Sequence, residues 1–570
     1  MQSSKRGPMG AALEEIRALI NNALQIAAQK GELIATGEIK DFTVEVPADT
    51  SHGDFATNAA MISAKSMKKN PRDIANIIVA NIDFENTSFK SASIAGPGFI
   101  NFYVKENWFG KIIKEVLEES ESYGKTQYGE NKKVNVEFVS ANPTGPMHMG
   151  NARGGAIGDS LASALSWAGY DVTREFYVND AGNQIEKFGI SLSARYMQEF
   201  LGEDAVSFPE DGYHGMDIRE ACLEYIKIHG DELLKVTEEE RKRALIDYAL
   251  PKNIEKMHRD LEKYKIVYDV WFNESQLHES GAVTDVINKM KSKGLTYEKD
   301  GALWYKATDF GEQKDEVLVR QNGTPTYFSA DIAYHFNKMS VRGFEKCINV
   351  WGADHHGHVA RLKGALTAMG LNGDSLDIVL MQLVKLTRNG ELVKMSKRTG
   401  NAITLTDLLD EVPIDAARFF FNMREPASTL DFDLDLAVEE SSQNPVYYVQ
   451  YAHARICSIL KNITAEGIAL RNCTIDELAL LKDPSEIELI RALGSFPEEI
   501  IKAAVSYDPA RLTRFAVETA TKFHKFYADC HCKMVDNEAL MQARLSLCRA
   551  TQQVIRNLLT MLKISIPETM

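Results

Sequence analysis

The sequence predicts an α/β protein built on a doubly wound parallel sheet, with a small α+β domain before it and an all-α helix bundle after it. Three observations carry that prediction. From about residue 130 to 430, strand-like runs alternate with helical stretches, an order that lays strands parallel with helices on both faces. Upstream, one helical stretch is followed by short alternating runs. Beyond about residue 440 the apolar spacing is helical nearly to the end, without a clear strand.

The 570 residues allow about three domains of ~150 to 200 residues each, drawn here at 11–110, 125–435 and 440–570. In the first, Leu13, Ile16, Ile20 and Leu24 recur at helical spacing up to a stop at Gly31. Phe42, Val44 and Val46 alternate as a strand, as do Ile100, Phe102 and Val104 after Gly96-Pro97-Gly98. Met1 to Gly10 reads as a loose lead-in, and Glu106 to Tyr128 as a link. In the second, Val134 to Val139, Asp171 to Val178, Lys346 to Trp351 and Ile378 to Val384 are the clearest strands. Residues 186–300 are helical and highly charged, as an insertion would be, so the sheet's halves come from either side of it. No internal repeat or low-complexity tract interrupts the chain.

Composition narrows the function classes. Apolar residues make up 44% and charged residues 25%, as in ordinary globular proteins. No run approaches the ~18 apolar residues of a membrane span, and Met1 to Arg17 carries charges where a signal peptide needs an apolar core. A cytoplasmic protein without a membrane partner is expected. Seven cysteines, an odd number, fit reduced thiols better than a disulfide framework. Cys530-His531-Cys532 lacks the second ligand pair of a structural zinc site and reads as ordinary helix sequence. The net charge of −15 argues against a polyanionic partner, but residues 441–570 hold 15 Lys and Arg against 14 Asp and Glu. There Arg511, Arg514, Lys522 and Lys525, followed by Arg544 and Arg556, offer either a basic face or solvated helix sides.

The chemistry concentrates in two short stretches. His148-Met149-Gly150-Asn151 follows the turn Asn142-Pro143-Thr144-Gly145-Pro146, between a strand and a helix marked by Ile157, Leu161, Leu165 and Ala168. Such a turn aims unpaired N–H groups and the positive end of a helix dipole at one point, where an anion is stabilised. His148 and Asn151 can each donate to a phosphate oxygen, and Gly150 leaves room for a nucleotide. Far downstream, the Asn389-Gly390 turn of a hairpin leads into Lys394-Met395-Ser396-Lys397. Lysines on a polar loop can follow phosphate charge as it moves, and phosphoryl-type transfer asks mainly for positioning and charge stabilisation. Neither stretch is decisive alone.

Together they resemble the HIGH and KMSKS signatures of class I aminoacyl-tRNA synthetases. The wider match is to the arginyl-tRNA synthetases: Ala141 to Asn151, Tyr327 to His335, Trp351 to His358, Asp415 to Arg418 and Tyr447 to Arg455 all resemble that family. Two departures stand out, Asn151 for the second histidine of HIGH and Arg398 for the final serine of KMSKS. The resemblance implies a first domain touching the tRNA elbow, a Rossmann-type catalytic domain and a DALR-type helical domain reading the anticodon, with Tyr447, Tyr451, Arg455, Arg511 and Arg514 as the candidates for tRNA contact. It also implies ATP with Mg²⁺, L-arginine and tRNA(Arg) as partners, no DNA, and activation that waits for bound tRNA.

A guanidinium wants carboxylates. By resemblance Asn142 and Glu137 grip the polar ends of the amino acid and Tyr327 and Asp331 contact the guanidinium, with Gln382 a further candidate there or at the nucleotide. Residue by residue, Glu137 also fits an edge-strand surface position and Asp331 a helix ion pair. Asp354-His355-His356-Gly357-His358 follows a strand. Histidines so closely spaced seldom converge on one ion, and the resemblance implies that Asp354, His355 and His358 contact ATP or arginine. Two rivals are weighed: another class I synthetase, for which zinc-type cysteine spacing or a longer editing insertion is missing, and a catalytically silent tRNA-binding relative, against which His148, Gly150, Lys394 and Lys397 speak.

Overall fold

The computed structural model describes residues 6–34, 41–47, 49, 52–393, 403–534 and 536–570, with the side chains of His355 and His356 excluded. Lys394, Met395, Ser396 and Lys397 thus lie outside the described residues.

At the start, helix Gly7–Gln29 buries Met9, Ile16, Ile20 and Leu24. Its first turn takes in Gly7 to Gly10, which the sequence suggested to be a loose lead-in; instead Gly7 packs against Pro497. With helices Ala59–Met67 and Pro71–Ala80 it joins a four-stranded antiparallel sheet, in the order 44–45, 55–57, 99–104, 89–95. The stretch expected to be a link holds helix Trp108–Glu119.

The central sheet has five parallel strands in the spatial order Leu376–Met381, Lys346–Gly352, Lys133–Glu137, Asp171–Val178, Val270–Asn273. The chain lays the Lys133–Glu137 strand first and builds outward in one direction before returning to build in the other. The switch therefore falls between that strand and Lys346–Gly352, where doubly wound sheets bind ligands at the strands' carboxyl ends. Both faces are covered. One apolar cluster, containing Val134, Ile157, Leu161 and Phe176, continues into the first domain and the carboxy-terminal helices. The other, with Phe272, Ile332, Tyr334 and Leu366, fills the opposite face. Helix Met149–Trp167 lies so close to the sheet that a Cβ at Gly158 would stand 2.2 Å from the Phe138 ring, which only glycine avoids.

Two expectations need correcting. Helices Asn183–Leu201, Met216–His229 and Glu238–Lys263 form the inserted unit with its own core, but residues 264–300 do not continue it. Val270–Asn273 is the sheet's fifth strand, too short for its periodicity to stand out, and Thr296–Lys299 opens a separate antiparallel sheet with Ala302–Tyr305 and Glu316–Val319. The strand read as Ile378 to Val384 breaks at Met381. Val384–Arg388 belongs to another small sheet, with Glu391–Val393 and Leu430–Asp433.

After Asn444, which caps it, helix Pro445–Ala465 begins the terminal bundle, joined by Pro484–Ser506, Ala510–Asp529 and Glu538–Met561. Cys530 and Cys532 are buried in it and point to different neighbours, Ser485 and Cys548. No described helix is long and apolar enough to cross a membrane.

Candidate active site

A cleft of about 1060 Å³ opens at the switch point. Val139 to Asn142 line it from the end of the central strand, Val350 to Asp354 from its neighbour, and His148, Gly150 and Asn151 from the helix start. Val139 and Ser140 adopt left-handed backbone, φ +69° and +42°, a strain that clusters at functional turns. The turn is held by Ser140 Oγ, which donates to Glu137 (3.1 Å) and accepts from the Tyr177 N–H (3.1 Å).

His148 is the N-cap of helix Met149–Trp167. Its Nδ1 accepts from the Gly150 N–H (3.1 Å), while Asn151 Oδ1 accepts from the His148 N–H (2.9 Å), and the two bonds together close the first turn of the helix. Two consequences follow. The imidazole proton sits on Nε2, facing away from the cap, and the Asn151 amide keeps its Nδ2 hydrogens for a ligand. Surrounding protein desolvates the ring enough to hold its pKa below the usual histidine value, although one edge meets water. A side chain at Gly150 would press on this ring at 3.0 Å.

After the stretch that holds Lys394 and Lys397, the described chain resumes beside this turn. Val384, at the base of the hairpin that leads to that stretch, lines the cleft. Past it, Thr404 pairs with His148 and the Leu405 N–H donates to the Met147 carbonyl (2.8 Å).

Opposite lies a concentration of acid. Helix Tyr327–Phe336 presents Tyr327 to the cleft and carries Asp331 one turn on, whose Oδ2 accepts from His358 Nε2 (2.9 Å). Glu274, absent from the sequence-based candidates, is buried at the end of the Val270–Asn273 strand. Tyr177, which lines the cleft, hydrogen-bonds to it. Burial pushes the Glu274 carboxyl above its ordinary range and the Asp331 charge adds to the rise, while Tyr177 and His278 oppose it. Among the described residues its only ion-pair partner is His278, at 3.4 Å. Tyr213 and Gln184 of the inserted unit also line the cleft and hydrogen-bond to one another, and Asn253 braces the Pro143 carbonyl (2.9 Å).

Glu137 is neither a surface residue nor a cleft wall. It is buried in the middle strand, where Lys338 Nζ donates to it at 2.5 Å. Both faces of a parallel sheet are covered, so a polar residue there must find an internal partner. Lys338 also donates to Asn349 (3.2 Å), Asn349 to His335 Nε2 (2.8 Å), and His335 Nδ1 to the Asp331 carbonyl (2.8 Å). Asn142, Asp354 and the Gln382 side chain do line the cleft.

The tRNA candidates divide. On helix Pro445–Ala465, Tyr451 is 40% exposed and stacks on His524, and Arg455 lies over the Tyr527 ring at 4.5 Å. Arg511 and Arg514 start helix Ala510–Asp529, roughly 20 Å along it from His524 at 1.5 Å per residue, and pair with Glu499 and Asp508 (both 2.9 Å). Lys522, Lys525 and Arg544 are likewise paired, with Glu518, Glu488 and Glu486. Five of the six cations that suggested a basic face thus meet a carboxylate, from their own helix, an adjoining helix or the turn between two.

A helix-terminus anion cradle at the switch point of a parallel sheet is how class I aminoacyl-tRNA synthetases are organised, and the family model "tRNA synthetases class I (R), catalytic domain" matches residues 112–457. In fold the chain is similar to a Thermus thermophilus arginyl-tRNA synthetase, with a TM-score of 0.75 over 97% of this chain and 100% of that one, at 21% identity. On either side, "Arginyl tRNA synthetase N terminal domain" matches residues 14–104 and "DALR anticodon binding domain" residues 449–570. Arginine–tRNA ligases of Acetivibrio thermocellus and Caldanaerobacter subterraneus are each 54% identical, over 98% of this chain and 98% and 99% of theirs. The chain belongs to the arginyl-tRNA synthetase family.

Proposed function

We propose that the protein activates L-arginine with ATP and passes the arginyl group to the terminal adenosine of tRNA(Arg). The observation that carries this reading is the pair Glu274 and Asp331 across the cleft from the His148 cradle. One wall is backed by two carboxylates whose ion-pair partners among the described residues are histidines alone, His278 and His358, suited to a guanidinium, while the other offers donors suited to phosphate.

In the first step a carboxylate oxygen of arginine attacks the α-phosphorus of ATP. The bond to the bridging oxygen breaks, and pyrophosphate leaves with its electron pair. His148 Nε2–H, the Asn151 amide and the helix N-terminus hold the phosphates, and Lys394 and Lys397 neutralise charge as it builds. Asn142 and Ser140 hold the α-amino acid end, with Glu137 acting behind Ser140. Tyr327, Asp331, Glu274 and Tyr177 receive the guanidinium, Gln382 and Asp354 border the nucleotide, and His358 orients Asp331. The role given to His355 rests on the family resemblance.

Asp354 is the single carboxylate among the described residues lining the cleft, which suits Mg²⁺ carried in on phosphate oxygens and water rather than in a protein cage. Bound in that way, the ion spreads the triphosphate charge. In the second step a ribose hydroxyl of the terminal adenosine attacks the arginyl carbonyl and AMP departs. Tyr447, Tyr451 and Arg455 contact the anticodon, where exposed rings can stack on unpaired bases. The work is cytoplasmic.

Arginine-dependent exchange of labelled pyrophosphate into ATP, with and without tRNA(Arg), tests the reading. Exchange is expected with tRNA present; none in either condition rejects it.

A further inference from the structure

Among the described residues lining the cleft there is no lysine or arginine. One guanidinium stands directly behind it. Arg153 lies on the second turn of helix Met149–Trp167 and is completely buried. Its Nη1 donates to the Gln382 carbonyl (2.7 Å), and its Nη2 to the Glu425 (3.1 Å) and Ser428 (2.8 Å) carbonyls. No carboxylate among the described residues lies within 4 Å, and Nε has no described partner. Burial draws its pKa down to about 10, so it stays charged at neutral pH.

A buried cation without a counter-ion is an expensive way to join two elements, since apolar packing would do it at lower cost. Two features give the arrangement a purpose. The three carbonyls belong to the Met381–Val384 crossing and the 425–428 turn, and the Gln382 N–H donates to Pro426 (3.0 Å), so both segments are tied to each other and to the helix. That crossing floors the cleft and continues into the hairpin that ends at the lysine loop. Meanwhile Gly154, the next residue on the helix, and Gln382, whose carbonyl Arg153 holds, both line the cleft, so the fixed positive charge sits immediately behind its wall.

Resting on the activity proposed above, we infer that Arg153 is a positioning residue for adenylate formation: it fixes the Met381–Val384 floor of the cleft relative to the His148 turn, and its charge finds its counter-ion in the triphosphate. The claim is about coupling between Arg153 and the His148 turn, so the decisive measurement is a double-mutant cycle with His148→Ala, read as arginine-dependent pyrophosphate exchange in the presence of tRNA(Arg).

In an otherwise unaltered chain, Arg153→Met should lower kcat by about 100-fold, the scale of a displaced catalytic group, while the KM for arginine moves less than about threefold. Arg153→Lys, keeping charge but not the three-way clamp, should fall between. In the His148→Ala background the further loss from Arg153→Met should shrink to less than about fivefold, because interacting sites are not additive. Losses that multiply in full, or an arginine KM that rises as far as kcat falls, overturn the inference. So does failure of both variants to yield folded protein, which would make Arg153 a folding residue. Wild-type enzyme without exchange would instead sink the activity itself.

Discussion

Glu274→Gln separates binding from stability more sharply than any other change in the cleft. The carboxylate is buried, its pKa is raised first by desolvation and further by Asp331, and its one ion-pair partner among the described residues is His278. In the free enzyme its charge is therefore a burden. Folded Glu274 has a higher pKa than unfolded glutamate, so its contribution to stability is fully present at low pH and is lost as pH rises through the folded value. Glutamine removes that penalty, and the free variant should melt at or above the wild-type temperature at neutral pH. With arginine bound the sign reverses, since the guanidinium loses a hydrogen bond to an ionised acceptor worth about 1.5–3 kcal/mol, or roughly a 10- to 150-fold rise in KM for arginine. The KM for ATP should change less than about threefold, the substituted side chain lying on the far wall. Citrulline, neutral and of similar shape, supplies the control: the variant's preference for arginine over citrulline should narrow by the same factor. The assay is steady-state exchange with each substrate varied, beside a thermal melt. An unchanged arginine KM, or equal effects on arginine and ATP, would refute the argument that Glu274 meets the guanidinium.

Other outcomes follow from the same geometry. His148→Ala removes an N-cap and a phosphate donor together, and should cost about 1 kcal/mol in stability and ~10²- to 10³-fold in single-turnover adenylate formation. Because Nδ1 must be unprotonated to accept from Gly150 and desolvation lowers the ring's pKa, the wild-type activation rate should be flat above the usual histidine value and fall only below it. Lys338→Met strands Glu137 in the core and should destabilise by about 3–5 kcal/mol; adding Glu137→Gln should recover much of that in urea titrations. Tyr451→Ala should weaken tRNA binding by the ~1–3 kcal/mol of a stacked base, while Arg511→Ala, already paired with Glu499, should change the measured Kd by less than about threefold.

How much of this is legible in the sequence depends on whether a feature is local. The His148 turn is: strand, glycine-bearing turn and helix are contiguous, and Asn151 three residues after His148 is the spacing a capping box needs. The long helices are likewise legible from their apolar stripes. Glu137 is misleading because alternation along Val134-Asn135-Val136-Glu137 suggests one wet face, whereas the middle strand of a parallel sheet has none, and Asn135 and Glu137 turn inward to Glu175 and Lys338. Glu274 is hidden by company, one acid in a highly charged stretch. Its one local signal is Val270-Trp271-Phe272 running into Asn273 and a short helix, the same strand-to-helix step that precedes His148. The cations Arg511 and Arg514 are legible as a row on one helix, whereas the Glu499 and Asp508 that meet them are not.

The buried chain from Glu137 through Lys338, Asn349 and His335 to the Asp331 carbonyl bears on selectivity. Its middle member is neutral: desolvation, with the nearby Lys338 charge, drives the His335 pKa to about 3, so Nδ1 donates and Nε2 accepts across the working pH range. Each link then has one polarity and no proton to exchange, which makes the chain a rigid strut. One end fixes the strand whose exit turn holds Ser140 and Asn142, and the other fixes the helix holding Tyr327 and Asp331. In the binding mode proposed above, these are the two ends between which the amino acid stretches. A shorter cation such as ornithine could satisfy one end only, leaving either the carboxylate or a buried acid unmatched, and sites built around buried polar groups reject such analogues strongly. Length discrimination would then reside in the spacing of two elements that need not touch each other, and Lys338→Met should erode it even where arginine itself still binds.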